Sequence, residues 1–474
     1  MHIEAAKQNE TSPKTGKLNP RIVFWAITSA LAGFLFGFDT IVISGAEQTI
    51  QKLWGLSPGL HGLVMGSALY GTVLGSLLGG WPTDRFGRKK TLLFIGGLYV
   101  LSSIGCGFAN SMATFVVARF LGGIGIGIST VAAPLYISEI APAAFRGRLA
   151  GLFQFNIVFG CVVALVSNVV IAQVGGVNAW RWMLGIAAFP SVLYAVMCFG
   201  LPESPRWLLS RKGDRAAGLQ VLQLVEPDLS PSQLETRVEE MMAAARSEQT
   251  VASTFWTWRL PVPILLAILV AVFNQLSGIN AVWYFAPRIF EMAGLGQKAA
   301  LLQSAGIGII NVFFTFLGLW LIDRIGRRTL LYIGSFGYIL SLGLIAWGFF
   351  TQHFAMVPVC IFAFIAAHAV GQGTVIWVLI SEIFPNRHRA EGQALGSFTH
   401  WLFAALLTTF FPKMVALFAP GYVFLFFCCM MVLQLVWVKT MVPETKGVSL
   451  EDILLAMEDP EKAGRYALSP VRIR

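Results

Sequence analysis

Charged residues are scarce in this chain. Asp, Glu, Lys and Arg make up 12% of its 474 residues, against about 25% in an ordinary soluble domain. Hydrophobic residues make up 56%, and the mean hydropathy is +0.70. Because a soluble fold of this length needs more polar surface, the composition excludes an ordinary soluble protein and predicts a chain whose outer surface meets lipid.

Sequence motifs for several other functions are missing. None of the six cysteines has Cys-x-x-Cys spacing, which argues against a disulfide framework or a zinc site. No Gly-x-x-x-x-Gly-Lys-Ser/Thr sequence occurs, so we expect no nucleotide-driven step. The apolar runs contain no nucleophile–base or metal-ligand constellation. We therefore predict that the chain is not an enzyme and that it has neither a cofactor nor a metal ion.

The basic residues form no single face. The net charge is +10, but the Lys and Arg residues lie in short clusters between apolar runs, as in residues 84–90. Such clusters mark the cytoplasmic loops of a membrane protein, whereas nucleic-acid binding needs a surface that neutralises many phosphates. We therefore expect a lipid bilayer, and no nucleic acid, as the partner.

Twelve apolar runs are long enough to cross a hydrocarbon core as helices. They are predicted at 22–45, 60–82, 91–109, 113–137, 149–173, 182–201, 260–284, 299–322, 329–349, 357–384, 390–415 and 420–442. The predicted fold is all-α and integral to the membrane, with two six-helix halves at 22–201 and 260–442. Between them, residues 202–259 form a polar linker with short amphipathic helices.

Loop charge predicts the orientation. The loops near 83–90, 139–148, 203–259, 324–328 and 385–389 carry most of the Lys and Arg, and the alternate loops carry few. The tails 1–21 and 443–474 should therefore both be cytoplasmic. The polar first 20 residues lack the features of a signal peptide, so the first run should remain as a spanning helix. Together with the short loops, this favours a bacterial cytoplasmic membrane.

The chain repeats itself. Residues 84–89 recur as 323–328, residues 138–140 as 381–383, and residues 202–203 as 443–444. Three motifs in the same order at nearly one offset indicate two halves of common design, as in transporters that bind substrate between repeats.

These motifs resemble the sugar porter family of the major facilitator superfamily, over about residues 22–455. Gly80-x-x-x-Asp84-Arg85-x-Gly87-Arg88-Lys89 resembles the superfamily's loop between helices two and three. The segments 202–208, 275–280 and 443–447 resemble the family's sequences after helix six, in helix seven and after helix twelve. The resemblance implies two bundles around a central cavity that opens alternately to each side.

Asp39 lies inside the first apolar run and Arg119 inside the fourth. Each lies about six residues from the outer boundary, or about 9 Å at 1.5 Å per residue, so the two can meet. A charge in lipid is costly and usually pairs inside a cavity. A static ion pair is one interpretation. The resemblance implies the other, in which protonation of Asp39 releases Arg119 and allows the inward transition.

Amides suit sugar hydroxyls because they both donate and accept hydrogen bonds without carrying a charge. The resemblance implies a sugar site made of Phe36, Gln154, Asn274, Gln275, Asn280, Asn311, Trp377 and His400. Asn274 replaces the Gln that is common in the family, and His400 replaces Asn or Gln. His400 could bind a hydroxyl or tie two helices together, while His368 is predicted to pack. For any single amide, hydrogen bonding between helices is the alternative.

Charges at matched positions in both halves suggest a cytoplasmic gate. Its predicted members are Asp84, Arg88, Glu139, Arg146, Glu203, Arg206, Asp323, Arg327, Glu382 and Arg389. The resemblance implies that their salt bridges hold the inner ends of the two halves together while the site faces outward. Exposed pairs are weak singly, so such a gate needs a network.

The predicted function is secondary active uptake of a monosaccharide, a hexose such as glucose, with a proton as the coupling ion. The alternatives are a sugar uniporter, a symporter for inositol, another polyol or a pentose, and a sugar sensor that does not transport. The protein is expected to be monomeric. Asp39 argues against a uniporter, because many sugar uniporters carry Asn there. The short tail argues against a sensor.

Overall fold

The computed structural model describes residues 19–142, 145–227, 229–250, 260–385 and 388–447. Within these ranges all regular secondary structure is helical, and twelve helical segments are long and apolar enough to cross a membrane. The predicted all-α fold with twelve spans is confirmed. The predicted tails at 1–21 and 443–474 lie largely outside the described residues.

The twelve spans, numbered in chain order, begin and end close to the predicted bounds. They are Pro20–Gly45, Pro58–Leu78, Arg88–Gly107, Met112–Ile140, Arg146–Val174, Gly176–Phe199, Pro261–Met292, Gln297–Ile325, Arg327–Thr351, Phe354–Ile383, Arg389–Leu417 and Pro420–Thr440. The sixth begins at Gly176 rather than 182. The seventh ends at Met292 rather than 284, because polar residues in its last turns lower the hydropathy without ending the helix.

The seventh and tenth spans are each broken at a glycine near the middle, and the first span ends in a turn. The seventh consists of Pro261–Leu276 and Ile279–Met292, separated at Gly278, whose φ of 87° favours glycine. The tenth breaks at Gly371. The first ends in a tight turn at Ile43–Gly45, and a short helix, Glu47–Leu53, follows it.

Glycines set the close packing within the first half. A Cβ atom at Gly71 would lie 2.1 Å from the backbone oxygen of Phe120, and one at Gly75 would lie 2.3 Å from that of Ile124. The second and fourth spans are therefore in close backbone contact at these small residues.

The linker between the halves carries its own small core. Its longer helices are Arg215–Val225 and Pro231–Thr250, and Leu209, Leu222 and Val238 are buried between its elements. Both helices lie in the segment for which the sequence predicts short amphipathic helices.

The two ends of the bundle differ in sequence. We call the end that carries the repeated charged motifs, with Arg88 and Arg327, the motif end. The other, at Glu47–Leu53, is the opposite end. The halves touch from the opposite end to the middle: a Cβ at Gly62 in the second span would lie 1.9 Å from the backbone oxygen of Thr409 in the eleventh. Tyr70 and Thr409 share a hydrogen bond of 3.0 Å.

Candidate functional site

Asp39 and Arg119 form a buried ion pair. Arg119 Nη1 lies 2.9 Å from Asp39 Oδ2 and donates to the backbone oxygen of Asp39 at 3.0 Å. The Arg119 side chain is 0% exposed and that of Asp39 is 8% exposed. Arg119 Nε and Nη2 find no acceptor among the described residues. The pair is thus held mainly by charge, and neutralising Asp39 would leave Arg119 without a counter-ion.

Four polar side chains meet where the seventh span breaks. Gln275 Nε2 donates to Asn274 Oδ1 at 2.9 Å and lies 3.3 Å from both ring nitrogens of His400. Asn280 Nδ2 donates to Gln275 Oε1 at 2.6 Å. We call these four residues the amide cluster. It joins both parts of the seventh span to the eleventh, and both the nitrogen and the oxygen of the Gln275 amide have partners within it.

Aromatic rings extend the amide cluster toward the first half. His400 lies 5.1 Å from the ring of Trp377 and 4.8 Å from that of Trp401, measured between centroids. Trp401 in turn lies 5.5 Å from Phe36 in the first span. The predicted residues Phe36, Trp377 and His400 therefore lie near one another, with amides for hydroxyls and rings for an apolar sugar face.

Two further predicted residues lie outside these contacts. Gln154 and Asn311 are half-buried in the fifth and eighth spans, and no hydrogen bond joins them to the amide cluster. In contrast, Asn168 donates to the backbone oxygen of Val42 at 3.0 Å, as expected for bonding between helices. His368, predicted to pack, bonds the hydroxyl of Tyr338 at 2.6 Å.

An apolar groove of about 610 Å³ lies between the fifth and eighth spans, lined by residues such as Phe159, Phe313 and Trp320. Phe313 is 63% exposed and Trp320 is 54% exposed on the outer face of the bundle. The groove offers almost no polar atoms to a ring of hydroxyls. The amide cluster, rather than this groove, is the candidate sugar site.

At the motif end of the first half, Arg88 holds three helix ends together. It makes two hydrogen bonds of 2.9 Å to the Glu139 carboxylate and one of 3.2 Å to Asp84. Glu203 accepts from the backbone N–H groups of Arg88 and Ser204 at 2.8 and 2.9 Å. Burial raises the pKa of the Glu203 carboxyl, against the lowering effect of these donors.

The second half repeats this arrangement. Arg327 bonds Glu382 at 2.7 and 3.0 Å and pairs with Asp323 at 3.0 Å. Glu444 accepts from the backbone N–H of Arg327 at 2.9 Å, as Glu203 does for Arg88. Glu444 was absent from the predicted gate, although its place in the repeated Pro-Glu motif could have indicated it.

The predicted gate concerns a state whose site faces outward, so its role stays a prediction here. Its ion pairs lie within each half, and among the described residues none crosses between the halves at the motif end. Arg146 and Arg389 begin the fifth and eleventh spans and take part in none of these ion pairs. Arg206 lies in the short helix Pro205–Trp207, just after the first half. The reason is geometric: the halves are in contact at the other end of the bundle.

Charged residues that the sequence analysis missed join the halves at the opposite end. Arg288 of the seventh span donates two hydrogen bonds to the fully buried Glu47 carboxylate, at 3.0 and 2.8 Å. His61 Nε2 lies 3.1 Å from the same carboxylate, and Gln48 donates to Glu291 at 2.9 Å. Arg288 itself was one signal in the sequence, because it is a basic residue at the end of the molecule where the loops carry few Lys and Arg residues.

A sequence profile described as "Sugar (and other) transporter" matches residues 25–455. The arabinose-proton symporter of Bacillus subtilis is 34% identical, with 91% of this chain and 94% of that protein covered. The glucose transporter GlcP of Staphylococcus epidermidis is 34% identical, with 92% and 97% covered.

Solved structures of the Escherichia coli xylose transporter XylE share the fold. Its inward open conformation superposes with a TM-score of 0.79, at 30% identity, and covers 91% of this chain and 99% of that one. The same transporter bound to 6-bromo-6-deoxy-D-glucose gives a TM-score of 0.74, also at 30% identity, with 93% and 99% covered. By TM-score, the chain is therefore more similar in shape to the inward open structure than to the structure with the bound sugar derivative.

Proposed function

We propose that this chain, which belongs to the sugar transporter family of the major facilitator superfamily, takes up a monosaccharide together with a proton. The family consists of transporters, so the chain is not an enzyme. The observation that carries the proposal is the buried pair of Asp39 and Arg119, 2.9 Å apart. It supplies one protonatable carboxylate whose charge state controls a contact between the first and fourth spans.

The proposed cycle assigns one task to each site. Asp39 binds the proton, and its neutralisation weakens the ion pair with Arg119, so that the two spans can separate. The amide cluster binds the hydroxyls, with Trp377 against the ring face, and Gln154 and Asn311 complete the site. In the proposed orientation the motif end faces the cytoplasm and both termini lie on that side. The contact between the halves at the opposite end supports a state that is open to the cytoplasm.

The proposed substrate is a monosaccharide, with a hexose such as glucose tested first. The printed names of similar proteins include arabinose, xylose and glucose transporters, which supports the sugar class without selecting one sugar. Uptake of labelled D-glucose into proteoliposomes, with xylose, arabinose and inositol as competitors, identifies the substrate. Absence of both uptake and competition would leave the fold standing and exclude glucose, and the search for the substrate would then go beyond hexoses.

Asp39→Asn tests the proton coupling. The variant should still equilibrate the sugar, because the amide cluster is intact, but it should no longer accumulate sugar when a proton gradient is imposed. Uptake in the presence and absence of the gradient measures this. Undiminished accumulation by Asp39→Asn would refute the role of Asp39. If the unmodified protein only equilibrates sugar, it is a uniporter and the pair is structural.

A further inference from the structure

The contact between Glu47 and Arg288 joins the two halves of the molecule at the opposite end. The Glu47 side chain is 0% exposed and that of Arg288 is 24% exposed. Gln51 accepts a further hydrogen bond from Arg288, and the fully buried His61 contacts both the backbone oxygen and the carboxylate of Glu47. A buried carboxylate with a two-bond arginine partner is costly to separate.

Each partner lies eight residues along the chain from a residue of one of the proposed binding sites. Glu47 follows Asp39 by about two helical turns, across the tight turn Ile43–Gly45. Arg288 follows Asn280 of the amide cluster by about two turns within the helix Ile279–Met292. The contact therefore lies between the segment of the proposed proton site and the helix of the proposed sugar site.

The helix Ile279–Met292 has breaks on which it can turn. Gly278 precedes it with φ of 87°, and Phe285 inside it has non-helical angles of −119° and 21°. Pro287 lies two residues further on, where it cannot donate a backbone hydrogen bond. This helix can thus move its outer part, with Arg288, while the rest of the seventh span stays packed.

We propose that Glu47 and Arg288 form a latch that closes the opposite end and must break each time the transporter opens there. This inference rests on the proposed function and extends it to the step that resets the empty carrier. The latch is intact in the structure, where the halves meet at the opposite end. Proton binding at Asp39 and sugar binding at Asn280 act on its two sides.

The test measures the opening of the opposite end directly. Spin labels are placed on cysteines at Val177, which is 95% exposed, and at the exposed Lys298, after the native cysteines are replaced by alanine. Both positions lie at the opposite end, one in each half. Double electron–electron resonance in nanodiscs then gives the populations with short and long distances for the unmodified protein and each variant.

Glu47→Gln and Arg288→Gln should each raise the ratio of long to short distances by about tenfold or more, because each leaves a buried charge without its partner. The double variant should shift the ratio no further than the larger single effect, since the two residues form one contact. Lys52→Gln, an exposed residue of the same short helix, is the matched control and should change nothing.

Two results would overturn the latch: distances in Glu47→Gln equal to those of the unmodified protein, or independent and additive effects of the two single changes. If a single variant is poorly folded, the neutral double variant, which leaves no unpaired charge, still reports the equilibrium. The distance measurement does not depend on whether the protein transports sugar. Failure of the proposed function would appear instead as absence of uptake by the unmodified protein.

Discussion

Both ends of the bundle contain ion pairs between arginine and glutamate, but the pairs connect different parts of the molecule. At the motif end, Arg88 pairs with Glu139 and Arg327 with Glu382, each pair inside one half. At the opposite end, Arg288 pairs with Glu47 across the halves. A rocking motion of rigid halves leaves the first two contacts unchanged and separates the third.

The ion pairs at the two ends therefore contribute to different free energies, that of folding and that of the conformational equilibrium. Ion pairs within a half contribute to the folding stability of that half in every state of the cycle, so they do not shift the conformational equilibrium by themselves. A pair across the halves contributes to only one state, and only such differential contacts shift a population. Folding stability and conformational bias can therefore be changed separately by substitutions at the two ends.

The largest effect should come from the motif end. Glu139→Gln should lower the free energy of unfolding by about 3 kcal/mol, because the Arg88 and Glu139 side chains are 7% and 3% exposed and Arg88 would lose its buried partner. Glu382→Gln should cost about 1 kcal/mol, since Glu382 is 27% exposed and better screened by solvent. Denaturation in detergent micelles measures both.

The same two variants should leave the distance distribution at the opposite end unchanged. The gate hypothesis from the sequence predicts the opposite result, because in it these carboxylates hold the inner ends of the halves together while the site faces outward. A large redistribution toward the inward open state in either variant would support that hypothesis and would show that the pairs rearrange across the halves in another state.

The second effect concerns two glycines with equally close neighbours. A Cβ at Gly62 would lie 1.9 Å from the backbone oxygen of Thr409 in the other half, and one at Gly123 would lie 1.9 Å from that of Ala68 in the same half. Gly62→Ala should therefore raise the ratio of the open to the closed state at the opposite end about tenfold. The reason is that the added methyl group overpacks the closed state, which costs about 1–3 kcal/mol.

Gly123→Ala should lower thermal stability with no shift in the distance distribution, because its clash is present in every state. Gly59→Ala, where nothing lies within 4 Å, is the neutral control for the second span. Equal behaviour of Gly62→Ala and Gly123→Ala in the distance measurement would show that the halves do not move as separate rigid bodies.

The sequence predicted the fold well because each span is a local pattern. A run of about 20 apolar residues is sufficient to predict a span, and the repeated motifs indicated the two halves. The break in the seventh span and its extension to Met292 were missed. Its last turns carry Arg288 and Glu291, which lower the hydropathy although the helix continues.

The site was predicted only in part, because contacts between distant residues depend on the packing. Motif resemblance gave Gln275 and Asn280, and depth in the membrane allowed Asp39 to meet Arg119. The pairing of Glu47 with Arg288 has no local signal, since it requires the two halves to close at the opposite end. A family motif likewise gives no information about which conformation a charged residue stabilises.

The smallest effect concerns the amide cluster between the two ends. His400 contacts Gln275 Nε2 at 3.3 Å, so it would either compete with a sugar hydroxyl for the same amide or bind the hydroxyl itself. His400→Ala should change the dissociation constant of the sugar by about three- to tenfold, as expected for one hydrogen bond of about 1 kcal/mol. Tryptophan fluorescence measures this, because Trp377 and Trp401 lie beside His400.

The direction of that change distinguishes the two roles left open for His400. Tighter binding in His400→Ala means that the imidazole occupies Gln275 in the empty carrier and that the sugar must displace it. Weaker binding means that His400 itself bonds a hydroxyl. His353→Ala, an exposed histidine at the opposite end, is the control. An unchanged dissociation constant would exclude both roles and leave His400 as a tie between the seventh and eleventh spans, present in both states of the cycle.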